Sequence, residues 1–340
     1  MSRLAATAFG VLLACGAWAQ RSSLNGQVVV QPDSTGHYRI LIGGHFHGES
    51  TNRSGYPAST LLASLDTINA LGAHLFLSTG DLFMDGGKDR PRYARALFSK
   101  LRTPLFNAPG NHDLNGAVGD EAVEIGGIRL GRDLIFILNT EANDGSLSPV
   151  AVRRMASVLD GEASERPRRL FIVSHRPIWA EDDQQYRDLF KDNTRSLIGT
   201  NFRKDVYPVL QRIAQHAEVY WISGSLGGDA PSSIFFQPHA PNITFVQCAI
   251  RDLPRDALLI ADVDPDTVKW SALSLTGQQL LAPEAYDAAW WRAQRGQGEP
   301  FNWRLLPYLI RKTLLSPAFW WGAAAALLLG FLVRRALARW

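Results

Sequence analysis

The chain has 340 residues, 46% of them apolar and 20% charged, with 29 Gly and 18 Pro. That composition excludes a disordered chain, a fibrous repeat and a small disulfide-stapled module, and long apolar runs at the two ends alone exclude a multi-span transporter. The formal charge of +3 sits in the termini: residues 20–300 hold 28 of the 35 Lys and Arg and all 32 Asp and Glu, a net −4, so no nucleic-acid binding is expected.

Residues 1–19 read as an export signal. Arg3 supplies the positive start, Leu4 to Ala14 is a short apolar run, and Ala17-Trp18-Ala19 is a small-x-small cleavage site before Gln20. An uncleaved N-terminal anchor is one alternative, and Leu12-Leu13-Ala14-Cys15 also resembles a bacterial lipobox, in which Cys15 would carry lipid. At the other end, Leu314 to Val333 contain no charge, and twenty helical residues reach ~30 Å, the thickness of a hydrocarbon core. Trp320 and Trp321 lie near one end of this run, as interfacial aromatics do. The expected organisation is a signal (1–19), one domain (20–294), a linker (295–313), a transmembrane helix (314–333) and a short basic tail (334–340). A removable C-terminal sorting tail is the alternative to the anchor. Export places the domain on the non-cytoplasmic side of the cell membrane, with a single pass. Cys248, the one cysteine left after signal removal, lies in an apolar run and is expected in the core.

Within the domain, strand-like and helical patterns alternate. Tyr38–Ile42 is a strand and Ala58–Leu71 has helical spacing; His74–Leu77 is a strand and Arg90–Leu101 a helix. Leu105–Ala108 and Leu134–Asn139 are strands, followed by a helix from Pro149 to Leu159. Leu170–Val173 and Val219–Ile222 are strands with a helix over Lys204–Ala217 between them. The late region is β-rich, with Ile234–Phe236, Ile243–Ala249, Leu258–Val263 and Val268–Leu275. Short apolar strands alternating with helices predict a layered α/β fold with part of the sheet antiparallel.

Polar residues cluster just past the strand ends, the edge where sites form in open α/β sheets. The first strand leads into Gly44-His45-Phe46-His47-Gly48, the second into Thr79-Gly80-Asp81. The third leads into Pro109-Gly110-Asn111-His112-Asp113, and Leu170–Val173 into Ser174-His175-Arg176. Imidazole, carboxylate and carboxamide groups delivered to one edge suit a divalent metal. Arg176, beside His175, is a candidate contact for a phosphate oxygen or a surface salt bridge. Glu181-Asp182-Asp183 reads as a solvated acidic loop or a helix start, with a cationic group of the substrate as the alternative partner.

In that order these segments resemble the signature of the calcineurin-like metallophosphoesterases: Asp-x-His, Gly-Asp, Gly-Asn-His-Asp/Glu and a later His. The resemblance runs from about Ile40 to Gly228. It implies a two-sheet α/β/β/α sandwich, a two-metal centre (Mn, Fe, Zn or Mg) and hydrolysis of phosphomonoesters or phosphodiesters by a metal-activated hydroxide. Position by position, it implies His47 as a ligand of one metal, Asp81 as the bridging carboxylate, and Asn111 and His175 as ligands of the other. His112 matches the imidazole that protonates the leaving group, and Asp113 the acid that orients it. Two departures stand out. His45 replaces the Asp that opens the first motif, and is read as a metal ligand. The closing Gly-His-x-His appears as Gly224-Ser225-Leu226-Gly227, with both histidines gone, so Asp229 becomes a candidate substitute ligand. The expected function is a membrane-tethered phosphoesterase with a phosphoester substrate. The alternatives are a one-metal site, or a catalytically impaired fold acting as a membrane-anchored scaffold for a protein partner.

Overall fold

Strands buried on both faces are written as unbroken apolar runs, and the central strands of this chain follow that rule. The computed structural model describes residues 20–114, 123–181, 183–190, 199–226, 230–294, 306, 310, 313–315 and 317–338. The segment expected to be an export signal (1–19) and nearly all of the expected linker (295–313) lie outside them. The described strands are β1 (Tyr38–Gly43), β2 (Leu75–Ser78), β3 (Leu105–Asn107), β4 (Ile125–Leu130), β5 (Asp133–Leu138), β6 (Arg169–Val173), β7 (Glu218–Ser223), β8 (Ile234–Ala240), β9 (Ile243–Cys248), β10 (Ala257–Val263) and β11 (Val268–Ser274). The described α-helices are α1 (Ser59–Ala63), α2 (Leu65–Ala70), α3 (Gly86–Tyr93), α4 (Pro149–Ala156), α5 (Ile178–Glu181), α6 (Gln184–Phe190), α7 (Tyr207–Ile213), α8 (Ala288–Ala293) and α9 (Pro317–Leu337).

Two mixed sheets result. One has the order β11-β10-β1-β2-β3 and the other β4-β5-β6-β7-β9-β8. β1, β2 and β3 run parallel, as do β5, β6, β7 and β9. β10 and β11 extend the first sheet in antiparallel sense, and β4 and β8 close the edges of the second the same way. Alternate residues of a strand face opposite sides, and β1 shows the consequence. Ile40 and Ile42, paired with Leu75 and Leu77 of β2, join the large core shared with the second sheet. Leu41 and Phe76 join a smaller core with Leu61, Leu65, Ile68 and Tyr93 of the outer helices. The architecture is the expected α/β/β/α sandwich.

Four sequence expectations change. The helix over 58–71 is two helices, because Ser64 leaves helical geometry (φ −100°, ψ 4°) and its hydroxyl donates to Leu275 O (3.3 Å). The helix expected from Arg90 begins at Gly86. β4 and the pair α5–α6 were not expected; Gly126 and Gly127 break the apolar pattern of β4, and α5 is only four residues long. Trp179 of α5 is fully buried and stacks on Phe245 of β9 at 4.6 Å. Its indole N–H donates to Ser223 Oγ (3.2 Å), and Trp221 donates to Ser174 Oγ (2.9 Å). The Ser174 hydroxyl donates to Arg176 O, so in the 3.0 Å contact between the two serines Ser223 is the donor. This buried chain locks the ends of β6 and β7 side by side, immediately before His175. Cys248 is buried as expected. Its thiol reaches Ile42 O and Ala257 O, and burial pushes its pKa up to about 12.

α9 starts three residues after the expected boundary, at Pro317, a residue suited to a first helical turn, and ends with Arg334 and Arg335 in its last turn. Its segment Phe319–Leu337 is long and apolar enough to cross a membrane, and none of it is buried against the protein.

Candidate metal centre

Every candidate side chain arrives from the carboxyl end of a strand, and backbone hydrogen bonds stitch those ends together. Thr79 N donates to Gly43 O (2.7 Å) and His45 N to Gly80 O (2.8 Å), so the loops after β1 and β2 form one surface. His45 and Asp81 both sit in the left-handed region, at φ 54° and 55°. Non-glycine residues seldom hold that conformation unless the surroundings impose it, and such residues cluster at functional sites. Gly110 lets the loop after β3 close on this surface, since a Cβ there would stand 2.1 Å from Asp81 Oδ1.

The centre forms around one oxygen. The Nε2 atoms of His175, His45 and His47 lie 3.4, 3.6 and 3.8 Å from Asp81 Oδ2. The other oxygen, Oδ1, accepts the backbone N–H of His112 (3.2 Å), which fixes the carboxylate and leaves Oδ2 facing the three rings. His45, His47, Asp81 and His175 are all buried, whereas His112 is half-buried. Ligand atoms of His45, Asp81 and His175 lie within 4.8 Å of one another, and so do those of His47, Asp81 and His112. The two groups share Asp81, as a bridging carboxylate would require.

Tautomers follow from the partners. His175 Nδ1 lies 3.0 Å from Thr79 O, and a carbonyl only accepts, so Nδ1 carries the hydrogen and the Nε2 lone pair points at the centre. His112 Nδ1 is fixed the same way by Met84 O (3.0 Å). Burial would raise the Asp81 carboxyl, but His175, His47 and His45 around it outweigh burial and hold it well below the usual carboxylate range. Burial, and then the positive charge of Arg251, push His45 well below its usual value. The centre is thus an ionised carboxylate beside a neutral, lone-pair-bearing imidazole at neutral pH.

These residues fit divalent cations. All four ring nitrogens of His45 and His47 are buried without a hydrogen-bond partner among the described residues. A buried unsatisfied polar atom costs ~1–3 kcal/mol, and a cation removes that cost. Ligands about 2.1 Å from a shared Zn-sized ion stand about 3.0–3.5 Å apart, close to the observed nitrogen–oxygen separations.

Three sequence expectations meet a different geometry. Asp113 does not face the His112 ring. Its carboxylate is fully buried and accepts from the N–H groups of Asp81 (2.8 Å), Gly110 (2.9 Å) and Phe83 (3.2 Å) and from Asn107 Nδ2 (3.0 Å). The group that orients His112 is the Met84 carbonyl, a backbone atom that no residue pattern reveals. Burial and the neighbouring Asp81 charge raise Asp113 to about 7. Arg176 makes a buried two-point ion pair with Glu181 (2.9 and 2.6 Å) and a further bond to Asp144 (2.8 Å), so it is committed within the fold. Glu181 is therefore a buried partner and not part of a solvated run; Asp182 lies outside the described residues.

Asn111 is an exposed residue of the turn after β3. Ser225 is buried beside His175, its N–H donating to His175 O (2.9 Å). Gly227 and Asp229 lie outside the described residues. Because Asp113 ties together the loops that carry Asp81 and His112, Asp113→Ala is expected to cost on the order of 3 kcal/mol by stranding several buried donors. It should weaken metal binding in parallel, measured by urea unfolding and metal titration of the same sample.

Comparison with known proteins gives the family and the fold. A family model described as calcineurin-like phosphoesterase matches residues 38–236, more than half of the chain. A dimetal phosphatase from Danio rerio shares the fold with a TM-score of 0.50 at 12% identity, over 72% of this chain and 98% of that one. A purple acid phosphatase, PPD1 from yellow lupin (Lupinus luteus) seeds, aligns with a TM-score of 0.46 at 10% identity, over 72% of this chain and 53% of that one. No curated protein sequence matches. The match, which runs from β1 into β8 and covers more than half of the chain, makes the chain a member of the calcineurin-like phosphoesterase family.

Proposed function

We propose that the protein is an exported, membrane-tethered, metal-dependent phosphoesterase acting on a phosphomonoester or phosphodiester outside the cytoplasm. The observation that carries this reading is the convergence of three Nε2 atoms on Asp81 Oδ2 with four imidazole nitrogens left unpaired. A scaffold that had discarded its metals would retain that cost with no return, which weighs against the non-catalytic alternative.

In this reading His45, His47, Asp81 and His175 hold the cations, with Asn111 adding a carboxamide oxygen at the exposed rim. Divalent cations held there supply Lewis acidity toward the phosphoryl oxygens and acidify attacking water. Asp81 keeps its negative charge toward the centre throughout. His112 is half-buried, so of these histidines it is the one that a leaving group reaches. With Nδ1–H donated to Met84 O, the proton goes out from Nε2. As the phosphorus–oxygen bond to the leaving group breaks, that oxygen takes the Nε2 proton of His112 in its doubly protonated imidazolium form, which is left as the neutral Nδ1–H imidazole. Asp113 holds the loops in place and moves no proton. α9 tethers the domain to the membrane, and the N-terminal signal places it outside the cytoplasm.

The test is hydrolysis of bis(4-nitrophenyl) phosphate by the full-length protein in detergent with added Mn²⁺. Turnover that chelation abolishes and Mn²⁺ restores supports the assignment. Folded protein without turnover on any of a panel of monoesters and diesters favours the scaffold. A C-terminal reporter that is active only outside the cytoplasm would contradict the proposed orientation.

A further inference from the structure

Several buried or half-buried arginines are paired with carboxylates: Arg39 with Asp262, Arg169 with Asp133 and Glu218, Arg176 with Glu181 and Asp144. Arg251, beside the metal centre, is held differently. Among the described residues no carboxylate lies within ion-pair distance of its guanidinium, whose Nε is buried without a partner. Of its five donors, Nη2 is engaged, by the carbonyl of Leu226.

Its position gives that free charge a use. Arg251 follows β9, so it too stands at the carboxyl end of a strand. Ile250 N donates to Gly44 O (3.0 Å), which docks this connection on the residue before His45. Arg251 N in turn donates to Asp256 Oδ1 (2.8 Å), so the backbone that carries the side chain is fixed. Leu226, which holds the guanidinium, lies in the segment where two expected histidines are replaced by Ser225 and Gly227. The loop that lacks two neutral imidazoles therefore supports a permanent cation instead. Leu226 also closes on the centre, since its N–H donates to Gly224 O (2.8 Å) and the N–H of Ser225 beside it donates to His175 O (2.9 Å), so the guanidinium is held between the loops that carry His45 and His175.

A guanidinium with open donors beside cations would repel them, and it is tolerated where an anion lies between. We propose that Arg251 is the phosphoryl anchor of this site, donating to the non-bridging oxygens of the bound phosphoester. The inference rests on the metal-centre reading and adds to it a substrate-binding residue that the family motifs do not include.

The test separates anion binding from metal binding, using the full-length protein in detergent. Mn²⁺ and inorganic phosphate are titrated separately by calorimetry into wild type, Arg251→Ala and Arg251→Lys. Loss of a charge-assisted hydrogen bond predicts that Arg251→Ala weakens phosphate binding at least ~10-fold. Mn²⁺ affinity stays the same or tightens, because a cation has been removed from beside the ligands. Arg251→Lys restores part of the phosphate affinity. Phosphate affinity within twofold of wild type in a folded Arg251→Ala protein overturns the proposal. So does a parallel loss of phosphate and Mn²⁺ affinity, which marks a structural role. A wild-type protein that takes up no Mn²⁺ overturns the metal reading itself, a result distinguishable from either.

Discussion

Asp81→Asn is expected to abolish hydrolysis almost completely, by about 10³-fold or more in kcat/KM, equivalent to ~4 kcal/mol of transition-state stabilisation. The substitution keeps the shape of the side chain and an oxygen for the His112 N–H. It removes the negative charge at the point where three Nε2 atoms converge. Both candidate cation positions share this residue, so metal affinity should collapse along with activity. Thermal melting in the absence of metal should fall modestly, because the imidazoles that hold the Asp81 carboxyl below its usual range lose the charge they stabilise. A variant that retains turnover and bound metal would show that Asp81 is not the shared ligand.

His112→Gln has a different signature. If His112 delivers the leaving-group proton from Nε2, its loss costs on the order of 10²–10⁴-fold for esters with poor leaving groups such as alkoxides. For 4-nitrophenolate, which leaves without protonation, the loss should be several-fold at most. Bound metal should persist, since His45, His47, Asp81 and His175 are untouched. The leaving-group dependence of kcat in the two proteins, measured with a series of aryl and alkyl esters, checks this. A uniform loss across leaving groups together with loss of metal would identify His112 as a ligand of the group it forms with His47 and Asp81.

Much of the fold was legible because burial on both faces writes central strands as continuous apolar runs. Ile40–Ile42, Leu75–Leu77 and Leu170–Val173 carry that mark, and the polar residues following them fall at the sheet edge by topology alone. The edges of the structure were less legible. β4 carries two glycines and an arginine, and its place comes from pairing with β5. α5 is a single turn, whose Trp179 is positioned by a stack and an indole hydrogen bond that only the folded chain provides.

At the site the same division holds. Side chains delivered by strand ends could be found by position and type. The carbonyls of Thr79 and Met84, which set the tautomers of His175 and His112, have no sequence signature. The motif assigns Asp113 to the His112 ring, yet four N–H donors take up its carboxylate and make it a fastener of the loops. Arg251 was within reach of the same strand-end rule, since it lies three residues beyond the last residue of β9. No motif contains it.

The central claim is that the buried imidazoles around Asp81 bind metal in a chain that lacks two expected histidine ligands. The most direct measurement is elemental analysis of the purified full-length protein, wild type and Asp81→Asn, after equilibration with Mn²⁺ and removal of free ion. One to two ions per wild-type chain and none in the variant is the predicted result. Wild-type protein that is folded yet carries no more metal than Asp81→Asn would contradict it.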